Sequence, residues 1–161
     1  MALSQTQLDQ LRNAINADAN LTAFVAAKDA QSIAAYLNTD STFVVYRTAL
    51  TSEKSRMAII AGASQLDNLT VGKRDSLLWL CSETLDPTDA NVRQAIPDLC
   101  GSQNILKNSL LGALKRFAKV YEKIFATGTG SDASPGLLVV QDQPSVAEIG
   151  AAMWLPDGTP R

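Results

Sequence analysis

The stretch SQNILKNSLLGALKRFAKVYEKIFAT, residues 102–127, carries the longest helical pattern in the chain. At about 100° per residue its apolar side chains fall in one arc of roughly 100°. The members of this arc are Leu106, Leu110, Leu114, Phe117, Tyr121, Ile124 and Phe125. Four basic residues fall nearly opposite: Lys115, Arg116, Lys119 and Lys123. With Ser102 as its cap, the pattern predicts one long amphipathic helix over about 103–126 that organises the fold.

The composition favours a single helical domain around this helix. The chain has 161 residues, of which 46% are hydrophobic and 19% charged, as in ordinary globular proteins. Aromatic residues make up only 6%, and Ala and Leu carry most of the apolar content, which favours packed helices. We therefore predict a mainly α fold, a small helical bundle formed by one domain over residues 1–161.

Shorter helices are predicted on both sides of the long one. Ser4-x-x-Gln7 and Ser145-x-x-Glu148 are capping-box patterns, which place a first helix at about 5–17 and a short C-terminal helix after Ser145. Further helix starts are indicated by side chains that favour the N-cap position: Asp29, Thr51 or Ser52, Thr70, and Thr88 or Asp89. Pro97 is expected to interrupt or kink the helix that Gly101 closes.

Two β-branched stretches predict a minor β component, at about 42–48 and 136–142. The glycine- and serine-rich stretch between the long helix and the second strand raises the question of a phosphate cradle. Such cradles run strand, loop, helix, whereas the order here is helix, loop, strand, so a nucleotide site is not expected. We predict instead a flexible arm or hairpin-like extension over 127–145, and a loose tail over 155–161.

Histidine is absent from the chain, which removes Ser–His and Cys–His nucleophiles and most metal-hydrolase sites. The two cysteines, Cys81 and Cys100, are predicted to be small buried apolar residues rather than ligands. No catalytic, metal or cofactor site is predicted, and an enzyme is the last of the hypotheses. Trp79 and Trp154 are expected to anchor the core, although Trp154 lies on a short helix that a partner would help to bury.

The basic face of the long helix is the strongest charge feature. Residues 107–123 hold five basic residues and one acid, against a net charge of −2 for the chain. Three interpretations stay open: a solvated face, contact with an acidic surface on another copy or another protein, or contact with DNA. The low overall charge argues against a general binder of nucleic acid or anionic membranes.

The N-terminal sequence MALSQTQLDQLRNAINAD has no basic region followed by an apolar one, so a signal peptide is not expected. No window approaches eighteen consecutive apolar residues, so no membrane span is expected. These patterns predict a protein of the cytoplasm, or of an assembly that is built there.

Three segments together resemble a known set of proteins: LTAFVAAKDAQSIAAYLN, LDNLTVGKRDSLLWL followed by NVRQAI, and KIFATGTGSDASPGLLVV. This pattern is similar to that of small proteins encoded among the virion structural genes of tailed bacteriophages, and it extends over most of residues 7 to 153. The resemblance implies a virion protein, and in particular a head–tail connector (adaptor) subunit that repeats in a ring between portal and tail. Its implied partners are other copies, the portal and tail proteins, and packaged DNA nearby without sequence-specific binding.

In such a ring, each subunit needs two different complementary surfaces. The interface candidates on the arm and the last helix are Gly128, Gly130, Asp132, Leu137, Val139 and Trp154, in addition to the four basic residues of the long helix. The alternatives are another virion role, such as tail completion or decoration, and a small DNA-binding or regulatory module that uses the basic helix. No membrane, cofactor or small-molecule substrate is implied.

Overall fold

The computed structural model describes residues 3–140 and 142–161. The protein is 57% helical and contains a small two-stranded antiparallel sheet. The predicted fold class, mainly α with a minor β component, is therefore confirmed.

The chain forms two compact units, which the single-domain prediction did not anticipate. The terminal unit consists of Met1–Val44 and Phe117–Arg161, and the central unit consists of Val45–Arg116. Each unit has its own cluster of buried apolar side chains. The chain passes from one unit to the other within two strands, β1 (Asp40–Tyr46) and β2 (Lys115–Lys119).

The terminal unit is built from helices, and the sequence marks the starts of three of them. The helices are α1 (Gln5–Ala17), α2 (Thr22–Ala26), α3 (Ala30–Leu37), α8 (Val120–Phe125) and α9 (Val146–Met153). Both predicted capping boxes are present, at the starts of α1 and α9, and Asp29 caps α3 as predicted. Helix α1 packs on α8 and α9, and the buried core includes Leu11, Ile15, Ile33 and Ile149.

The central unit contains α4 (Ser52–Ala61), α5 (Val71–Leu80), α6 (Ala90–Cys100) and α7 (Asn104–Ala113). Thr51 caps α4 and Asp89 caps α6, as the sequence predicts. Helix α6 continues through Pro97 and ends at Gly101, whose φ of 55° favours glycine. Helix α7 packs on α4 and α6, and Leu106 and Leu110 are fully buried there.

The prediction of one long helix over 103–126 is wrong. The same residues form α7, β2 and α8, and the strand between the helices pairs with β1. Arg47 N–H donates to the Leu114 carbonyl (2.8 Å) at one end of the sheet, and Val120 N–H donates to the Thr39 carbonyl (3.0 Å) at the other. The apolar pattern does not distinguish the two arrangements, because Leu106 and Leu110 still share a face of α7.

Two local features explain the break. Gly112, the second-last residue of α7, costs up to about 1 kcal/mol in a helix relative to Ala. Glu122 gives α8 its own beginning, since its buried carboxylate accepts the backbone N–H of Lys119 (2.8 Å). Between these points, pairing with β1 outweighs the helical preference of Lys115–Lys119, and Phe117 of the predicted apolar face is 60% exposed.

The first strand is confirmed with a shift of two residues, but the strand predicted at 136–142 is wrong. In the described part of this stretch, Gly136 and Leu137 make only isolated β contacts, and Gln141 lies outside the described residues. The reason is the lack of a partner: β2 occupies one edge of β1, and the stretch reaches the other edge only at Val44. There Gly136 N–H donates to the Val44 carbonyl (2.8 Å), and Val44 N–H donates to the Gly130 carbonyl (2.7 Å).

Candidate interaction surfaces

The four basic residues predicted to share a helix face do not do so. Lys115 and Arg116 are successive residues of β2, where neighbouring side chains point to opposite sides. Lys119 forms an ion pair with Asp40 at 2.8 Å, and Lys123 lies on α8. The prediction of a single basic stripe is therefore wrong, and the argument for a DNA-binding helix loses its geometric basis.

The glycines of the predicted arm serve packing within the chain. Gly130 has a φ of 66°, and a Cβ there would overlap the ring of Phe43. Gly128 has a φ of 94°, a left-handed conformation that favours glycine. Thr127 and Leu137 exchange two backbone hydrogen bonds of 2.9 and 3.0 Å, which close this stretch as a hairpin-like turn. Gly130 and Gly136 are also hydrogen-bonded to Val44 of β1, so residues 127–137 are held against a strand of their own chain.

Three of the remaining candidates at this end of the chain are exposed. Asp132 lies on the turn, and Leu137 and Val139 follow it with their side chains in solvent. Trp154 is partly buried and packs on the terminal core. The tail after it is hydrogen-bonded, which differs from the loose tail predicted over 155–161, since Arg161 N–H donates to the Met153 carbonyl (3.0 Å).

A surface that the sequence missed lies on α5. Trp79, predicted as a core anchor, is 70% exposed, and Val71 (65%) and Leu78 share its side of the helix. Val71, Leu78 and Trp79 lie at i, i+7 and i+8, within an arc of about 100°; we call them the α5 apolar face. The buried side of the helix is formed by Leu77 and Cys81, four residues apart. The run LLWLC is apolar on both sides, so its periodicity does not show which side faces out.

Helix α4 also exposes large apolar side chains. Met57 (63% exposed) and Ile60 (66%) are three residues apart and share one side of the helix, whereas Ala58 and Ile59 are buried. On α7, Ile105 is exposed as well. The central unit thus presents apolar side chains on the outer sides of three of its helices.

The terminal unit contains a cavity of about 430 Å³. Seven apolar residues line it: Ala14, Ala17, Ala19, Leu21, Leu37, Val120 and Ile124. Asp18 and Lys123 also line the cavity. Its volume falls in the range of about 300–1,000 Å³ that is typical of ligand pockets. We call it the terminal cavity.

Asp18 is held in place by hydrogen bonds. Its carboxylate accepts the backbone N–H and the side-chain amide of Asn20 (both 3.0 Å) and the hydroxyl of Tyr36 (2.9 Å). Burial raises the pKa of Asp18, but these hydrogen bonds and the charge of Lys123 outweigh burial, so the pKa lies below its ordinary value. Asp18 is therefore ionised at neutral pH.

The buried cysteines are confirmed as parts of the central core. Burial, with a smaller contribution from the nearby Cys100, raises the pKa of Cys81 to about 11. Burial also raises the pKa of Cys100. Both thiols are therefore protonated near neutral pH, a state in which they are poor nucleophiles.

Within residues 3–140 and 142–161, Cys, Asp and Glu side chains form no group of three or more that could hold a metal ion. Over the same residues, no helix combines the length and the apolarity needed to cross a bilayer.

The two units differ in net charge. The central unit has nine basic and seven acidic residues, a net charge of +2. The terminal unit has five basic and nine acidic residues, a net charge of −4. The single basic helix face predicted from the sequence is thus replaced by a separation of charge between the two units.

Comparison with known proteins returned no match: no family model, curated protein or solved structure is significantly similar to the chain.

Proposed function

We propose that this chain is a structural subunit of a tailed-bacteriophage virion, a head–tail connector (adaptor) that forms a ring between the portal and the tail. The observation that carries its role as an assembly subunit is the α5 apolar face, where Trp79 is 70% exposed. Tryptophan is the residue type most enriched among those that dominate binding energy at protein interfaces. The connector role in particular rests on the resemblance of the three sequence segments.

The separation of charge between the units supports this proposal. A ring of identical subunits is built from heterologous contacts, in which two different surfaces of the subunit meet. A unit of net charge +2 and a unit of net charge −4 supply surfaces of opposite sign. Contacts between like units would bring charges of the same sign together, which disfavours an assembly that pairs like units.

The proposal is tested by the mass of the purified full chain in solution, alone and mixed with a portal protein from the same virion. Sedimentation velocity or native mass spectrometry should show self-association in a concentration-dependent manner, and a stable complex with the portal. A chain that stays monomeric and binds no virion component, or one that turns over a small molecule, would overturn the proposal.

A further inference from the structure

The α5 apolar face is fixed in place before any partner binds. The opposite side of α5, at Leu77 and Cys81, is fully buried in the central core, so the helix cannot turn Trp79 inward without losing that packing. A side chain that is already held by a packed helix loses less conformational entropy on binding than one on a mobile loop. The α5 apolar face is therefore preorganised for binding a partner.

The terminal cavity has the matching chemistry. Its seven apolar lining residues suit an aromatic ring, and its volume of about 430 Å³ is in the range of ligand pockets. A carboxylate offers about four acceptor positions, and the three hydrogen bonds to Asp18 leave one of these on Oδ2. An indole N–H is a donor only, and a buried one needs such an acceptor.

We infer that a second copy of this chain occupies the terminal cavity: Trp79 of one copy inserts into the cavity of the next, with its N–H directed to Asp18. The inference rests on the proposed function, because it names the contact by which the subunits assemble. The net charges of +2 and −4 favour this pairing of unlike units over pairing of like units. The α5 apolar face lies on the central unit and the terminal cavity lies on the terminal unit. Each copy can therefore bind one neighbour through its face and another through its cavity, which allows a ring.

The first test is a pair of single substitutions in the full chain, followed by sedimentation velocity over a range of concentrations. Trp79→Ala removes the inserted side chain, and Ala17→Phe places a ring in the cavity from an exposed position at the end of α1. Each should weaken self-association at least about 30-fold, as expected for a residue that dominates an interface. Ile105→Ala and Ala147→Phe are the matched controls on exposed helix positions outside the face and the cavity, and should assemble like the wild type.

The second test mixes the two defective variants in equal amounts. Trp79→Ala retains an intact cavity and Ala17→Phe retains an intact Trp79, so the mixture should form one contact and stop at heterodimers. A contact of Trp79 with Trp79 would give no such rescue. Circular dichroism of each variant alone, compared with the wild type, establishes that the loss of assembly does not come from unfolding.

The outcomes separate this inference from the proposed function. If the wild type assembles but Trp79→Ala assembles equally well, or Ala17→Phe has no effect, the inference is overturned and the assembly role stands. The inference also fails if the mixture stays monomeric, or if Ile105→Ala is as damaging as Trp79→Ala. A wild type that stays monomeric but binds the portal overturns the inference alone, and one that does neither overturns both.

Discussion

The central and terminal units differ in where they leave large apolar side chains exposed. In the central unit these side chains lie on α4, α5 and α7, helices whose opposite sides are buried in the core. In the terminal unit several of them lie outside helices, such as Phe117 on β2, Leu137 and Val139 on the turn, and Leu155 in the tail. An apolar side chain on a packed helix is held in one position, so it binds a partner at a smaller entropic cost.

The two units also differ in the contacts that stabilise each of them internally. The central unit depends on helix packing, with Leu106 and Leu110 of α7 buried between neighbouring helices. The terminal unit adds specific polar contacts at its helix ends, including two complete capping boxes, and a turn that hydrogen-bonds to β1. The contrast indicates that the stability of the central unit will be most sensitive to truncation of its buried side chains. The stability of the terminal unit will be most sensitive to changes in its helix caps and in the backbone of its turn.

The largest effect is expected from Leu110→Ala in the central core. Leu110 is fully buried, so its truncation removes apolar contacts and leaves a cavity, at a cost of about 2–5 kcal/mol in the free energy of unfolding. Urea denaturation followed by circular dichroism measures the cost, and hydrogen exchange should show the loss of protection in α4, α6 and α7. A cost below about 1 kcal/mol would show that this core is not tightly packed.

A smaller effect, of opposite sign at two glycines, is expected in the terminal unit. Gly130→Ala forces a Cβ into the Phe43 ring at a φ that alanine rarely adopts, and should destabilise the protein by about 1–3 kcal/mol. Gly150→Ala, in the middle of α9 with open space around its Cβ position, should stabilise it by about 0.4–1 kcal/mol. Thermal denaturation of both variants checks the signs, and equal effects would contradict an ordered turn at Gly130.

The capping box of α9 predicts a pH-dependent contribution to the stability of the terminal unit. The backbone N–H of Ser145 lowers the pKa of Glu148, and the N–H of Leu3 and the Ser145 hydroxyl lower it further against burial, which raises it. A lowered folded pKa means that the ionised carboxylate stabilises the fold above the unfolded pKa of about 4.3, and that this stability is lost as the pH falls through the folded pKa.

Two variants separate the charge of Glu148 from its hydrogen bond. Glu148→Ala should cost about 1 kcal/mol at pH 7, and Glu148→Gln less, because an amide oxygen still accepts, as that of Gln7 does at α1. Urea midpoints at pH 7 and pH 3 measure both variants. The gap between the wild type and Glu148→Gln should narrow at pH 3, and a gap that widens would contradict the role of the charge.

The smallest effect is expected at the ion pair between Lys119 and Asp40. Both side chains are partly or mostly exposed, so Lys119→Met should change the free energy of unfolding by less than about 0.5 kcal/mol. The measurement is a urea titration at low and high salt. A change above about 1.5 kcal/mol would show that this pair holds the sheet end in place.

Local signals in the sequence were sufficient where a helix end is decided by its own residues. The boxes at Ser4 and Ser145 and the glycine at 101 mark boundaries that the structure confirms, because their hydrogen bonds and backbone angles involve neighbours in the chain. The secondary structure of Lys115–Lys119 is not decided by its own residues. It depends on pairing with β1, a strand far away in sequence, and helical periodicity carries no information about that partner.

The candidate surfaces show the same limit. Leu137 and Val139 are exposed, whereas the basic stripe required a helix that does not form. The sequence predicts that Trp79 lies in the core, because large aromatic side chains are mostly buried and its neighbours in LLWLC are apolar in both directions. Only the packing of Leu77 and Cys81 decides which side of α5 faces inward.

The two buried thiols allow the opening of the central unit to be measured by chemical labelling. Both cysteines of the chain lie in that unit, fully buried and protonated at neutral pH, so an alkylating reagent reaches them only when the unit opens. The rate of labelling at pH 7 therefore follows the opening of the central unit and does not depend on the opening of the terminal unit. Cysteine labelling thus measures the opening of the central unit alone, with no engineered probe.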